Sequence, residues 1–336
     1  MMHDSNANES PLTARWSEVK EASCRETTAG AKRIICVLQY ARGQRIEPRS
    51  KGASRKDREA GRRGATVEAR CVVHAPPNKE YRTMQRMDIK TASTLNALTS
   101  DFYTRCAASF AQTRTRPWHG WQRCLDALGD VMLSRQELSV LDLGCGTLRF
   151  EDFLAEHTHA HLNVYAVDSC EAFLENKHNV HFINLDIIST LWDDTFPSHL
   201  NDVPLCNLTC AFGLMHHIPG MHARIALLDT MLNKTTSGGY VLISFWQFEH
   251  NERLSRKART ATATALERYP DLQLDESDWL LGWQDEAGAL RYCRSFTDAE
   301  IDTFVTHAAD RAQLVDRFNA DGPNDDLNCY LVFRRI

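Results

Sequence analysis

The chain has 336 residues, 43% of them hydrophobic and 25% charged, and a formal net charge of −5 at pH 7. That is the composition of a soluble globular protein, long enough for two domains. No apolar run approaches the roughly 20 residues of a membrane span, no secretory apolar segment follows the first methionine, and the eleven cysteines show neither framework spacing nor a C-x-x-C pair. Reduced thiols in a cytoplasmic protein are therefore expected.

Charge is unevenly spread. Residues 1–87 hold 18 Lys and Arg against 10 Asp and Glu, near +8, which leaves the remainder near −13. Residues 1–88 read as a disordered basic arm and residues 89–336 as the folded domain. Within the arm only Ile34 to Tyr40 is convincingly apolar, and Arg42 to Arg70 has almost no large apolar side chains with which to offset its ordering entropy. Three readings of the arm stay open: a segment that holds RNA backbone, a solvated tail, or sequence upstream of a true start at Met84 or Met87.

From Thr91 onward, Leu95, Leu98, Phe102, Ala107 and Phe110 recur at helical spacing. The stretch Thr113-Arg114-Thr115-Arg116-Pro117-Trp118 follows. Pro117 suits a helix first turn, and Trp121, Leu125 and Leu128 give that helix an apolar side. Arg114 and Arg116 offer guanidinium groups that can clamp a carboxylate or a phosphate. Trp118 and Trp121 suit either stacking on a base or packing the helix onto a sheet. Next, Val140 to Asp142 ends in a turn with Gly144 and Gly146, and the amphipathic stretch Phe150 to Glu156 comes after it. This is strand, tight turn and helix, with no side chain between the turn and a ligand. Leu148 stands where a dinucleotide fingerprint has its third glycine, which argues against a pyrophosphate ligand. Asn163 to Asp168 is a second strand, whose terminal acid lies about 20 residues past the turn, where it reaches ribose hydroxyls. Val180 to Asp186 is a third strand, also ending in an acid.

Thr190 to Val203 reads as a polar loop. Leu205 to Phe212 reads as a central strand, apolar on both faces, and it runs into His216 and His217. A helix over Arg224 to Leu232 is expected to stop at Ser237-Gly238-Gly239, before a fifth strand, Tyr240 to Trp246. Arg253, Arg256, Lys257, Arg259 and Arg268 make Glu249 to Tyr269 basic, either as a phosphate-contacting surface or as a solvated helix face. Thr297 with Glu300 fits a helix cap and its reciprocal acid. Gln313 to Phe318 and Leu327 to Phe333 read as a closing antiparallel pair. The alternating His157, His159 and His161 lack a ligand pattern around them, and no metal site is expected.

The D-x-G-x-G stretch, with acids ending the next two strands, resembles the class I S-adenosylmethionine-dependent methyltransferases. Thr113 to Trp118 and Arg291-Tyr292-Cys293-Arg294-Ser295-Phe296 narrow this to a resemblance to the tRNA wobble-uridine carboxymethyl methyltransferase family. The resemblance implies an α/β fold: a doubly wound, Rossmann-like sheet of five parallel strands with a C-terminal antiparallel hairpin. It implies S-adenosyl-L-methionine as cofactor, on Asp142, Gly144, Cys145, Gly146, Asp168, Asp186, Ile187 and Phe212. On the acceptor side it implies Arg114, His216, Arg291 and Tyr292, with Met215 and Trp246 as an apolar wall. The implied acceptor is a carboxylate on a modified wobble uridine of tRNA. A carboxylate is ionised near pH 7, so no strong base is needed. Two rivals remain. One is a methyltransferase acting on a small-molecule metabolite, which the acidic charge of residues 89–336 favours. The other is a non-enzymatic binding protein that keeps the fold.

Overall fold

In the computed structural model the described residues are 22–25, 35–38, 87–113, 115–170, 180–283, 286 and 288–336. The chain divides into two units, 1–82 and 83–336. In the first, β1 (Ala22–Arg25) and β2 (Ile35–Leu38) pair antiparallel, β2 falling within the apolar stretch read from the sequence. The reading of the rest of the arm as disordered lies outside the described residues.

The second unit opens with α1 (Ile89–Gln112), α2 (His119–Leu128) and α3 (Asp130–Leu133). It continues with β3 (Glu137–Leu143), α4 (Arg149–His157), β4 (His161–Asp168), β5 (Val180–Asn184), α5 (Ile187–Trp192), α6 (Phe196–His199), β6 (Cys206–Ala211), α7 (Met221–Lys234) and β7 (Thr235–Trp246). It closes with α8 (Glu252–Arg268), β8 (Asp278–Gly282), β9 (Leu290–Arg294), α9 (Asp298–Ala308), β10 (Ala312–Ala320) and β11 (Asn328–Arg335). The main sheet has the order β10-β11-β7-β6-β3-β4-β5. Its five strands from β7 to β5 are parallel, and β11 and β10 return antiparallel. This is the doubly wound sheet with a terminal hairpin that the sequence predicts. The chain builds outward from β3 to β5, then crosses back to β6 beside β3, so a crevice opens at the carboxyl ends of β3 and β6.

Leu138, Val140, Leu208, Cys210 and Leu242 are fully buried and form the middle of the core under α2 and α4. Gly120 has no alternative there, because a Cβ on it would stand 2.3 Å from the Tyr330 ring. No side chain caps Trp118 at the start of α2; instead the Gly120 N–H donates to Asp321 of the β10–β11 turn. Tyr330 and Asn328 donate to the same carboxylate. The hairpin therefore holds the entry of α2.

Three local expectations are corrected. The stretch 190–203 is not a plain loop. Asp186 caps α5 at Ser189, and Phe196 and Leu200 bury their side chains around α6. The helix before the fifth strand does not stop at glycine: α7 reaches Lys234, and Gly238 and Gly239 lie inside β7 at a register shift, where a Cβ on Gly239 would press on the Asn207 carbonyl at 2.7 Å. Pro117 sits one residue before the α2 cap rather than in its first turn. The Thr297–Glu300 capping box forms as read. No sequence signal marks the small antiparallel sheet β8–β9, which packs on α1 and α8 through Leu95, Ala265, Leu280 and Tyr292. Among the described residues no helix is long and apolar enough to cross a membrane.

Candidate active site

A cleft of about 720 Å³ lies at the carboxyl ends of β3, β4 and β6. At one end the backbone turns through Gly144 (φ +77°) and Gly146 (φ +52°), both in the left-handed region that glycine enters without strain. Leu148 (φ +59°) keeps the same conformation at the position of the missing third glycine. It carries a Cβ penalty of about 1–2 kcal/mol while burying its side chain in the core. The Asp168 carboxylate accepts from the N–H groups of Gly146 and Cys170, each at 2.9 Å, and this fixes the turn. Burial raises its pKa, and those backbone donors oppose the rise. Each Asp168 oxygen keeps a lone pair for a hydroxyl donor. Asp186 likewise accepts twice, from Asn96 at 2.7 Å and from the Ser189 N–H at 2.9 Å.

Asp142 ends β3 beneath the turn and faces Glu151 of α4 and Cys210 of β6, the three within 4.8 Å of one another. Among the described residues, Asp142 Oδ1 and both Glu151 oxygens have no donor. Two ionised carboxylates buried this close together repel each other, which favours the protonated form of one of them. Burial, and then the neighbouring Asp142, pushes Glu151 well above the usual carboxylate range. Burial pushes Asp142 up to about 6. Glu151 belongs to no motif in the sequence, and its place between Phe150 and Phe153 on the buried side of α4 is the signal that marks it.

The other end of the cleft is aromatic and basic. Tyr103, Phe110, Trp118, Phe212 and Trp246 line it, with His216, His217, Arg116 and Arg291. Trp118 stacks on the buried Trp121, their ring centroids 5.5 Å apart, and Arg149 lies over both rings. These tryptophans pack α2 onto the sheet, and Trp118 also reaches the cleft. Arg291 is only 6% exposed. Its guanidinium lies 4.6 Å from the Phe102 ring centroid and 5.6 Å from those of Phe110 and Trp283, and its Nη1 has no hydrogen-bond partner among the described residues.

The structure brings Asp142, Gly144, Cys145, Gly146, Asp168, Asp186, Ile187, Phe212, His216 and Arg291 to one cleft. Tyr292 is not among them. Side chains alternate across a strand, so the neighbour of Arg291 on β9 points the other way. The Tyr292 hydroxyl donates to Asp278 at 2.6 Å and accepts from Arg224 at 2.8 Å in the interior. Its expected role at the acceptor is corrected to a structural one. Arg114 lies outside the described residues. Met215 is fully buried and does not line the cleft, whereas Trp246 does.

A doubly wound sheet, a glycine turn at its first strand and acids at the ends of the next two strands define the class I methyltransferase architecture. The model of the methyltransferase domain family matches residues 109–308, and the chain belongs to that family; it is an S-adenosylmethionine-dependent methyltransferase. No curated protein matches the chain. Solved structures similar to it include the 1,6-didemethyltoxoflavin-N1-methyltransferase of Burkholderia thailandensis with bound 1,6-didemethyltoxoflavin and S-adenosylhomocysteine, at 16% identity and TM-score 0.46, covering 73% of this chain and 90% of that one. The N-methyltransferase NodS of Bradyrhizobium japonicum, with S-adenosylhomocysteine, is 14% identical at TM-score 0.39, covering 73% and 98%. An S-adenosylmethionine-dependent methyltransferase of Clostridium acetobutylicum is 12% identical at TM-score 0.44, covering 68% and 99%.

The residues present suit such a cofactor: a turn without side chains, acceptors on Asp168 that would take ribose hydroxyls, and the Asp142 carboxyl on the same wall of the cleft. Asp168→Ala is expected to weaken S-adenosylmethionine binding by about 1–3 kcal/mol, read by calorimetry on a variant shown to be folded. Unchanged affinity would remove Asp168 from the site.

Proposed function

We propose that the protein transfers a methyl group to a small, flat acid, and that Arg291 holds the anionic group of that acceptor. The observation that carries this reading is Arg291, which lines the cleft with its guanidinium buried among three aromatic rings and Nη1 unpartnered among the described residues. Among the described residues no carboxylate pairs with Arg291; a buried cation without a counter-charge is costly, and an anionic ligand supplies one. Aromatic walls on the same cleft favour a planar body. When bound, the cofactor supplies an activated methyl group on a sulfonium. The protein's part is to orient the acceptor and exclude water.

The narrower reading, a wobble-uridine carboxylate on tRNA, has Arg291 in its favour as well. The basic face of α8 does not support it. None of the described residues lining the cleft comes from α8; Arg256 and Arg259 instead border a separate recess with Glu249 and Glu252. The net charge near −13 of residues 88–336 points the same way.

Benzoate is the ligand for the test. It is expected to bind the protein charged with S-adenosylhomocysteine, and Arg291→Gln is expected to weaken it roughly 10- to 100-fold, the scale of one charge-assisted bidentate contact, with cofactor affinity unchanged. Equal binding by both proteins overturns the assignment. A loss confined to the cofactor would give Arg291 to the cofactor's own carboxylate, and methylation of tRNA in preference to every small acid would restore the tRNA reading.

A further inference from the structure

Beside Arg291 stands a pair that no sequence motif signals. Tyr103 of α1 and His217, which follows β6, are 114 residues apart in the chain, and the Tyr103 hydroxyl lies 2.8 Å from His217 Nε2. His217 Nδ1 lies 2.7 Å from the Tyr292 main-chain carbonyl. A carbonyl only accepts, so Nδ1 carries the ring proton and Nε2 is left as an acceptor. The Tyr103 hydroxyl therefore donates to His217, and a hydroxyl that donates still has lone pairs with which to accept. Tyr103 also lines the cleft. The arrangement is a relay of a hydroxyl, a base, and a third group that fixes the base's tautomer.

We infer that Tyr103 and His217 form the proton acceptor of the reaction, and that the methyl goes to a protic nitrogen or oxygen of the acid held by Arg291 rather than to its carboxylate. The inference rests on the anionic-acceptor reading. In the step, a lone pair on the acceptor N or O forms the bond to the methyl carbon, and the carbon–sulfur bond breaks with its electrons left on sulfur. The acceptor's proton passes to Tyr103 Oη while the Tyr103 proton moves to His217 Nε2. One positive charge is lost at sulfur and one appears on the imidazole, so the net charge of the cleft does not change. The imidazolium later releases its proton to water.

The groups facing His217 agree with this. Burial, and then the charge of Arg291, pushes its pKa down to about 3, so the resting imidazole is neutral and its acceptor nitrogen is unprotonated. Cys293 Sγ, 3.9 Å from Nδ1, is a thiol held neutral by burial, and the His216 ring lies 4.1 Å from that of His217. Of these neighbours Arg291 alone is permanently charged. An anion paired with it offsets the repulsion that an imidazolium would meet, so the bound acceptor strengthens the base that serves it. A carboxylate being methylated would need none of this.

The test has two arms on the full-length protein with S-adenosylhomocysteine or S-adenosylmethionine bound. In the first, ring-nitrogen NMR of labelled histidine is expected to show His217 neutral with the proton on Nδ1. Saturating benzoate is expected to raise its titration midpoint by at least one pH unit, and Tyr103→Phe to shift the Nε2 resonance. Benzoate that binds without moving the midpoint, or a Tyr103→Phe spectrum with Nε2 unchanged, overturns the inference. Failure of benzoate to bind instead overturns the anionic-acceptor reading on which it rests. In the second arm, benzoate is compared with the isomeric aminobenzoates and hydroxybenzoates as methyl acceptors. Methylation is expected on nitrogen or oxygen, with Tyr103→Phe lowering kcat about 100-fold at unchanged KM and altering the acid limb of the kcat–pH profile. Methyl esters formed from benzoate and its derivatives alike overturn the base while leaving the role of Arg291 standing. If none of these acids is methylated, the nitrogen resonances alone decide.

Discussion

Replacing Asp278 by alanine is expected to destabilise the fold by about 3–5 kcal/mol, the cost typical of breaking a buried charge network from one side. The Asp278 side chain is wholly buried and accepts from the Tyr292 hydroxyl and from Arg294 Nη1 at 3.0 Å, with Arg224 Nη2 at 3.9 Å. It also accepts from the Asp275 N–H. Arg224 keeps the Ile218 carbonyl and Arg294 keeps Glu300, so the alanine variant leaves two guanidinium groups only partly matched. Asp278 and Arg294 are register partners at the outer end of β8–β9, and Arg291 lies three residues along the same strand. The variant is therefore expected to lose benzoate binding together with stability, whereas Arg291→Gln loses binding alone. Urea unfolding of both proteins checks this. A loss under about 1 kcal/mol for Asp278→Ala would show that the network contributes no more than a surface pair.

The difference between these two variants shows what the sequence can and cannot reveal. The cofactor end is built from contiguous signals. A strand, a turn and an acid fall in fixed order because the parallel β-α-β unit imposes that order, so Gly144, Gly146 and Asp168 are legible from their linear spacing alone. The acceptor end is assembled from α1, the turn after β6, and β9, whose members are far apart in the chain. Arg291 and Tyr292 read alike as acceptor residues in a run of neighbours, yet the strand pleat sends one to the cleft and the other into the Asp278 network. Tyr103 has the pattern of an ordinary position on a helix whose apolar spacing runs through Phe102. The family resemblance points to His216, and nothing in the sequence sets its neighbour His217 above it. The Tyr292 carbonyl, itself fixed by the β8–β9 pairing that no sequence signal marks, singles out His217. The glycine pair after α7 misleads for a related reason. Gly238 and Gly239 have the composition of a helix stop, but close approach to the Asn207 carbonyl, a contact between strands, is what requires Gly239.

The buried Asp142–Glu151 pair leads to an expected dependence of stability on pH. In the unfolded chain both carboxyls titrate near 4. In the folded protein burial holds Asp142 near 6 and raises Glu151 well above its usual value. Between these values the folded state binds more protons than the unfolded one, so stability is fully present below about 4 and falls as pH rises through the folded values. Glu151→Gln replaces the proton-requiring member by a neutral amide that can donate to Asp142 Oδ1 at any pH. The variant is expected to match wild type near pH 4 to 5 and to exceed it by about 1–3 kcal/mol at pH 8, the scale of one to two pKa units of linkage. Thermal or urea unfolding across that range tests it, and a difference between the proteins that does not change with pH would mean that the two acids share no proton. The same pair bears on the cofactor end of the cleft. Asp142 lines that end of the cleft, so its state of ionisation sets the charge beneath the glycine turn.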